Sequence, residues 1–134
     1  MLDAMTPTEY VSVIHELGDI SANHSMNFTT ILIAYLVAAY LAGSKLTGFQ
    51  AWAVTILYSA FAIFPAGSCV GVYRSSIHVA NRFLEEYPNE ALNYIDTGST
   101  NYLGTWLIGG IFFLAWTTSI AFMINVRTNS SRVI

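Results

Sequence analysis

Three stretches of the chain are unbroken by charge. No aspartate, glutamate, lysine or arginine occurs at the 25 positions 20–44, the 28 positions 46–73 or the 30 positions 97–126. About 20 helical residues cross a hydrocarbon layer of roughly 30 Å, so each gap has room for one span. The pattern predicts an all-α, polytopic integral membrane protein, a single membrane domain over 1–134. Its transmembrane helices are expected at about 26–43, 49–73 and 102–126.

Polar positions punctuate these spans. Thr6-Pro7-Thr8-Glu9 combines an N-cap threonine, a proline in the first turn and the glutamate of a capping box. It predicts an amphipathic helix over 6–24, with Tyr10, Val13, Ile14, Leu17 and Ile20 on one face and Glu9, His15, Glu16 and Asp19 on the other. This helix is expected on the membrane surface or against its own bundle. Lys45 ends the first span, and Thr47-Gly-Phe-Gln50 supplies a second capping box, so the first two spans form a hairpin with almost no loop. Pro65 removes one backbone donor inside the second span and marks a kink or hinge. Beyond Tyr73 the helical pattern continues, apolar on one side, to Pro88. Residues 74–101 therefore read as a small extramembrane helical cap and loop, with Ser99 or Thr100 capping the third span. The tail, 127–134, is polar and expected to fray.

Within the spans two patterns stand out. Ala34, Ala38 and Ala42 recur every four residues, and Gly67 and Gly71 form a GxxxG pair. Small side chains let helix backbones approach closely, the main source of association in lipid, so both are expected helix-packing faces. Hydroxyls occupy mid-depth: Tyr35 in the first span, Thr55, Tyr58 and Ser59 in the second, Thr117 in the third. They could line a pore or a ligand site, or make hydrogen bonds between helices. The second is the commoner role.

Composition sharpens the picture through its placement of charge. Only 10% of residues are charged, against about a quarter in soluble domains. With three spans, Asp3, Glu9, Glu16, Asp19, Glu85, Glu86, Glu90 and Asp96 all fall on one side, opposed there by Arg74 and Arg82 alone. That side carries 2 − 8 = −6, and the other has Lys45, Arg127 and Arg132 for +3. Basic residues favour the cytoplasm, which predicts an outside N-terminus and a cytoplasmic C-terminus, in a cell (inner) membrane. The first residues, with Asp3 and Glu9 and no basic start, do not read as a signal peptide.

Candidate chemistry is sparse. The spans hold no carboxylate or basic side chain at mid-depth, the usual mark of pumps and proton relays. His15, Asp19, His24 and His78 share the acidic side and include metal-ligand chemistry; His15 and Asp19 stand one helical turn apart on the same face, but no HxxxH or ExxH pattern occurs. No hydrolase, zincin, P-loop or dinucleotide motif occurs. No pattern specifies a cofactor, and five scattered basic residues form no nucleic-acid stripe. The expected partners are membrane lipid and either further copies of the chain or other membrane subunits. The expected role is assembly, as a homo-oligomer or accessory subunit. The alternative is a homo-oligomeric channel or passive transporter for cations or small molecules.

Single cysteines at Ser21, Thr97 and Ser130, in a Cys69→Ser background, should label from opposite sides. Positions 21 and 97 should react with an impermeant reagent added outside, and position 130 only after permeabilisation. Labelling of 130 from the same side as 97 would remove the three-span arrangement.

Overall fold

The computed structural model describes residues 5–95 and 101–130. Four helices run in the order α1 (Pro7–Ala42), α2 (Gly48–Glu86), α3 (Pro88–Ala91) and α4 (Leu103–Ser130), with no strand among the described residues. Three of them, α1, α2 and α4, are long and apolar enough to cross a membrane, which is compatible with an integral membrane protein.

Both capping boxes form. The Thr6 hydroxyl accepts from the Glu9 backbone N–H while Glu9 accepts from the Thr6 N–H at 2.7 Å. Thr47 and Gln50 repeat the pattern at the start of α2. Between these starts the expected division does not appear. The amphipathic stretch 6–24 and the span 26–43 are one continuous 36-residue helix, about 54 Å long. Residues 20–25 lack any proline that would end a helix, and their polar side chains are short enough to be carried along its face. Likewise α2 passes through Pro65 and past Tyr73 as 39 continuous residues to Glu86. The expected tail beyond Val126 is helical as far as Ser130. The caps expected at Ser99 or Thr100 lie outside the described residues.

α1 and α2 form an antiparallel hairpin, and its register is read from three pairs. Tyr10 stacks on Phe83 with centroids 5.1 Å apart, Ser21 meets Cys69 at 3.3 Å, and Tyr35 stacks on Tyr58 at 3.9 Å. α4 is antiparallel to α2, its Trp116 and Ser119 bonded to Ser59 and Tyr58. At one end Tyr73 lies over Gly104, where an added Cβ would come within 2.7 Å of the tyrosine oxygen, and Arg74 sits above the Tyr102 ring. At the other end a Cβ on Gly43 would press on the Ala39 carbonyl and on the Met123 sulfur, 3.2 Å away.

Two cores result. The larger lies between the three long helices and is built from Phe28, Tyr35, Ala39, Tyr58, Ala62 and Met123. The smaller joins the start of α1 to the end of α2 and to α3, through Tyr10, Ala80, Phe83, Ala91 and Ile95. The described part of the expected cap is therefore a two-helix stem continuous with the bundle, closed by one short helix. The Tyr87 hydroxyl donates to the Met5 carbonyl and ties the chain start onto this stem.

The stem should respond to pH at both extremes. Hydrogen bonds from the Thr6 backbone and side chain hold the Glu9 carboxyl below its ordinary value of 4.5. A depressed carboxylate contributes stability above that value, lost as pH falls through the lowered one, so the first turn of α1 should fray in acid. Burial, then the neighbouring Glu86 carboxylate, raise the Tyr10 hydroxyl above 10.0, with Arg82 opposing. Its contribution is complete below pH 10 and is lost as pH rises through the raised value. Protection of the amides of residues 8–12, with exchange referred to the intrinsic rate at each pH, should fall in both directions. Glu9→Ala should abolish the acid limb and Tyr10→Phe the alkaline one.

Candidate functional site

Of the hydroxyls expected at mid-depth, Tyr35, Thr55, Tyr58 and Ser59 gather in one layer of the larger core. Tyr35 is placed there by the inner stripe of α1, where Phe28, Tyr35 and Ala39 follow at seven and four residues and are all buried. Tyr58 faces it from α2, the two rings nearly parallel at 13°. The Tyr35 and Thr55 hydroxyls are 2.9 Å apart, and Thr55 Oγ1 donates to the Ala51 carbonyl at 2.8 Å. A hydroxyl has one proton, so Tyr35 donates to Thr55. The same reasoning applies across α2 and α4. Ser119 donates to the Trp116 carbonyl at 2.7 Å and hence accepts from Tyr58, also at 2.7 Å. The Trp116 indole N–H donates to Ser59 at 3.1 Å.

The chemical capacity of this layer follows from where its chains end. Each tyrosine passes its proton's hydrogen bond to a second hydroxyl, and that hydroxyl to a backbone carbonyl within a helix. A carbonyl accepts but carries no proton onward, so neither chain is a relay between two faces. Among the described residues the layer's hydrogen-bonded members are hydroxyls, an indole and backbone carbonyls. What the layer does is fasten α1 to α2 and α2 to α4 at one height. Thr117 stands outside it, donating to the Phe113 and Leu114 carbonyls of its own helix. Thr105, near the start of α4, keeps a buried hydroxyl oxygen with no partner among the described residues.

The structure sorts the other expected site residues by face. Ala34 and Ala38 are exposed and Ala42 half-buried. The α1 surface packed inside the chain is displaced one residue around the helix, to Tyr35, Ala39 and Gly43. Gly67 and Gly71 are also exposed, and a Cβ on either would meet nothing within 4 Å. Pro65 is buried on the inner side of α2. His15 and His78 are exposed and His24 half-buried. Among the described residues no three His, Cys, Asp or Glu side chains come close enough to hold a metal, so His15, Asp19, His24 and His78 are not gathered into one centre.

Two contacts were not legible from spacing. The Trp116–Ser59 bond joins residues whose alignment depends on the α2–α4 register. The Ser21–Cys69 contact joins the helix expected on the membrane surface or against its own bundle to one read as a span. Two open apolar grooves flank α4. One, of 710 Å³, lies against α1 and is lined by Leu36, Val37, Tyr40, Leu114, Thr118 and Phe122 among others. The other, of 370 Å³, lies against α2 beside Ala66, Gly67, Gly109, Phe112 and Trp116. Compared with known protein families, with curated proteins and with solved structures, the chain matches none.

The layer's energetics separate ring from hydroxyl. Tyr58→Phe removes one interhelical hydrogen bond, and its cost in a membrane should be about 0.6 kcal/mol and below about 1.7 kcal/mol. Tyr58→Ala removes the stacked ring as well and should cost about 3–5 kcal/mol, as for buried aromatic truncations generally. Denaturant titration in mixed micelles reads both. Equal losses for the two variants would place the stabilisation in the hydroxyl rather than the ring.

Proposed function

We propose that this protein acts through assembly in the membrane, as a homo-oligomer or as an accessory subunit of a larger complex. The observation that carries the reading is the division of labour among its intramembrane residues. Tyr35, Thr55, Tyr58, Ser59 and Ser119 find hydrogen-bond partners inside the chain, whereas Ala34, Ala38, Gly67 and Gly71 are exposed on its outside. Small residues on an outer helix face bury little against lipid tails but permit close backbone approach by another helix. With the outside N-terminus that the placement of basic residues favours, the stem and its acidic residues would stand on the outer side of the cell membrane.

The channel alternative has less support. Thr55, Tyr58 and Ser59 turn toward the chain's own core and take part in its hydrogen bonds. A pathway on an axis between copies would need a lining from other residues.

Gly67→Leu and Gly71→Leu test the assembly reading. Neither side chain meets anything in its own chain, so the monomer fold and its melting point should be kept. The mass of the assembled particle in detergent or nanodiscs should fall in both variants. Unchanged mass in both, with native helix content, would mean that this face looks at lipid.

A further inference from the structure

The end of the bundle opposite the stem carries basic residues and no acidic ones. Positions 43–51 and 126–134 contain Lys45, Arg127 and Arg132 but neither aspartate nor glutamate. Arg127 is held in a defined place there. Its Nη2 lies 3.8 Å from where a Gly48 Cβ would stand, so the guanidinium rests against the first turn of α2. It is half-buried. The Arg82–Glu86 pair is the ion pair present among the described residues, and none of the hydrogen bonds found there involves Arg127. The Thr47 and Gln50 side chains close on each other's backbone N–H groups, and Asn129 donates to Asn125 at 2.9 Å.

Height identifies what the guanidinium meets. Phe49 and Trp52 on α2 and Ile124 on α4 are exposed apolar side chains that belong at the level of the hydrocarbon. Arg127 lies three residues beyond Ile124, about 4.5 Å along the helix axis. The headgroup layer on each side of a bilayer is roughly 5–7 Å thick, so on this placement the guanidinium falls at the height of the headgroups. Its planar fork binds a phosphate through two parallel N–H···O bonds.

We propose that Arg127, seated against Gly48 in a segment pair where Lys45 adds positive charge and no acid occurs, is a binding site for the phosphate of an anionic phospholipid. The absence of any acidic side chain in these two segments favours a headgroup without its own ammonium, because a zwitterionic one would bring a cation into an already positive site.

The test compares phosphatidylglycerol, phosphatidylcholine and inorganic phosphate added to purified protein in detergent. Phosphatidylglycerol should raise the melting temperature of the wild type by several degrees, and the other two should not. Arg127→Gln should lose that rise, while Arg74→Gln, at the opposite end of the bundle, should keep it. A second readout needs no variant: phosphatidylglycerol with a photoreactive headgroup should crosslink to residues 44–50 or 124–130 of the wild type. A lipid-specific rise retained in Arg127→Gln, or crosslinks confined to other segments, would overturn the proposal. So would inorganic phosphate giving the full rise, because the ligand would then be a soluble anion.

Discussion

Two aromatic stacks set α1 against α2 at widely separated heights. Tyr35 rests on Tyr58 in the bundle and Tyr10 on Phe83 in the stem. The two α2 members are 25 residues apart, about 37 Å of helix. Helices in lipid gain nothing from hiding apolar side chains from one another, since the tails are as apolar as leucine, and they associate through shape and hydrogen bonding. A stacked pair of tyrosines answers both needs: the flat rings of Tyr35 and Tyr58 pack closely, and each phenol oxygen finds a partner at the ring edge. A slip of one turn in the hairpin would separate both stacks at once.

The remaining architecture follows from that register. With Tyr58 fixed by Tyr35, its hydroxyl is presented to α4, where Ser119 accepts it and Trp116 reaches back to Ser59. Tyr73 then falls over Gly104 at one end and Arg127 against Gly48 at the other. The glycines are needed for different reasons. Gly104 and Gly43 make room for neighbours inside the chain, whereas Gly67 and Gly71 face outward and meet none. The first pair belongs to the fold, and the second is free for an occupant from outside it.

The stem depends on the same geometry. Beyond the start of α4 it has only two long helices, and two helices alone bury little. Tyr10, Phe83 and Tyr87 compensate by forming a three-ring cluster, with α3 and Ile95 packed against the same core. The polar lower part of α1 is thereby carried as a continuation of a membrane-length helix rather than as a separate surface helix.

Much of this was determined by the sequence alone, where the physics is local. Charge-free runs longer than a bilayer is thick specify three long apolar helices, and threonine–glutamate or threonine–glutamine pairs three residues apart specify where α1 and α2 begin. Mid-depth hydroxyls were legible as a class, since hydropathy places them within spans. The sequence could not say which way they face, because that depends on rotation of one helix against another. Ala34 and Ala38 illustrate the limit: their spacing marks a ridge, but the α1–α2 register turns the adjacent Tyr35–Ala39–Gly43 stripe inward. Depth is a second example. Composition places Ser21 and His24 outside the first span, yet the hairpin sets Ser21 beside Cys69, inside the apolar run of α2. Hydropathy judges each segment by its own residues, whereas the height of a residue in a bundle is decided by the helix packed beside it.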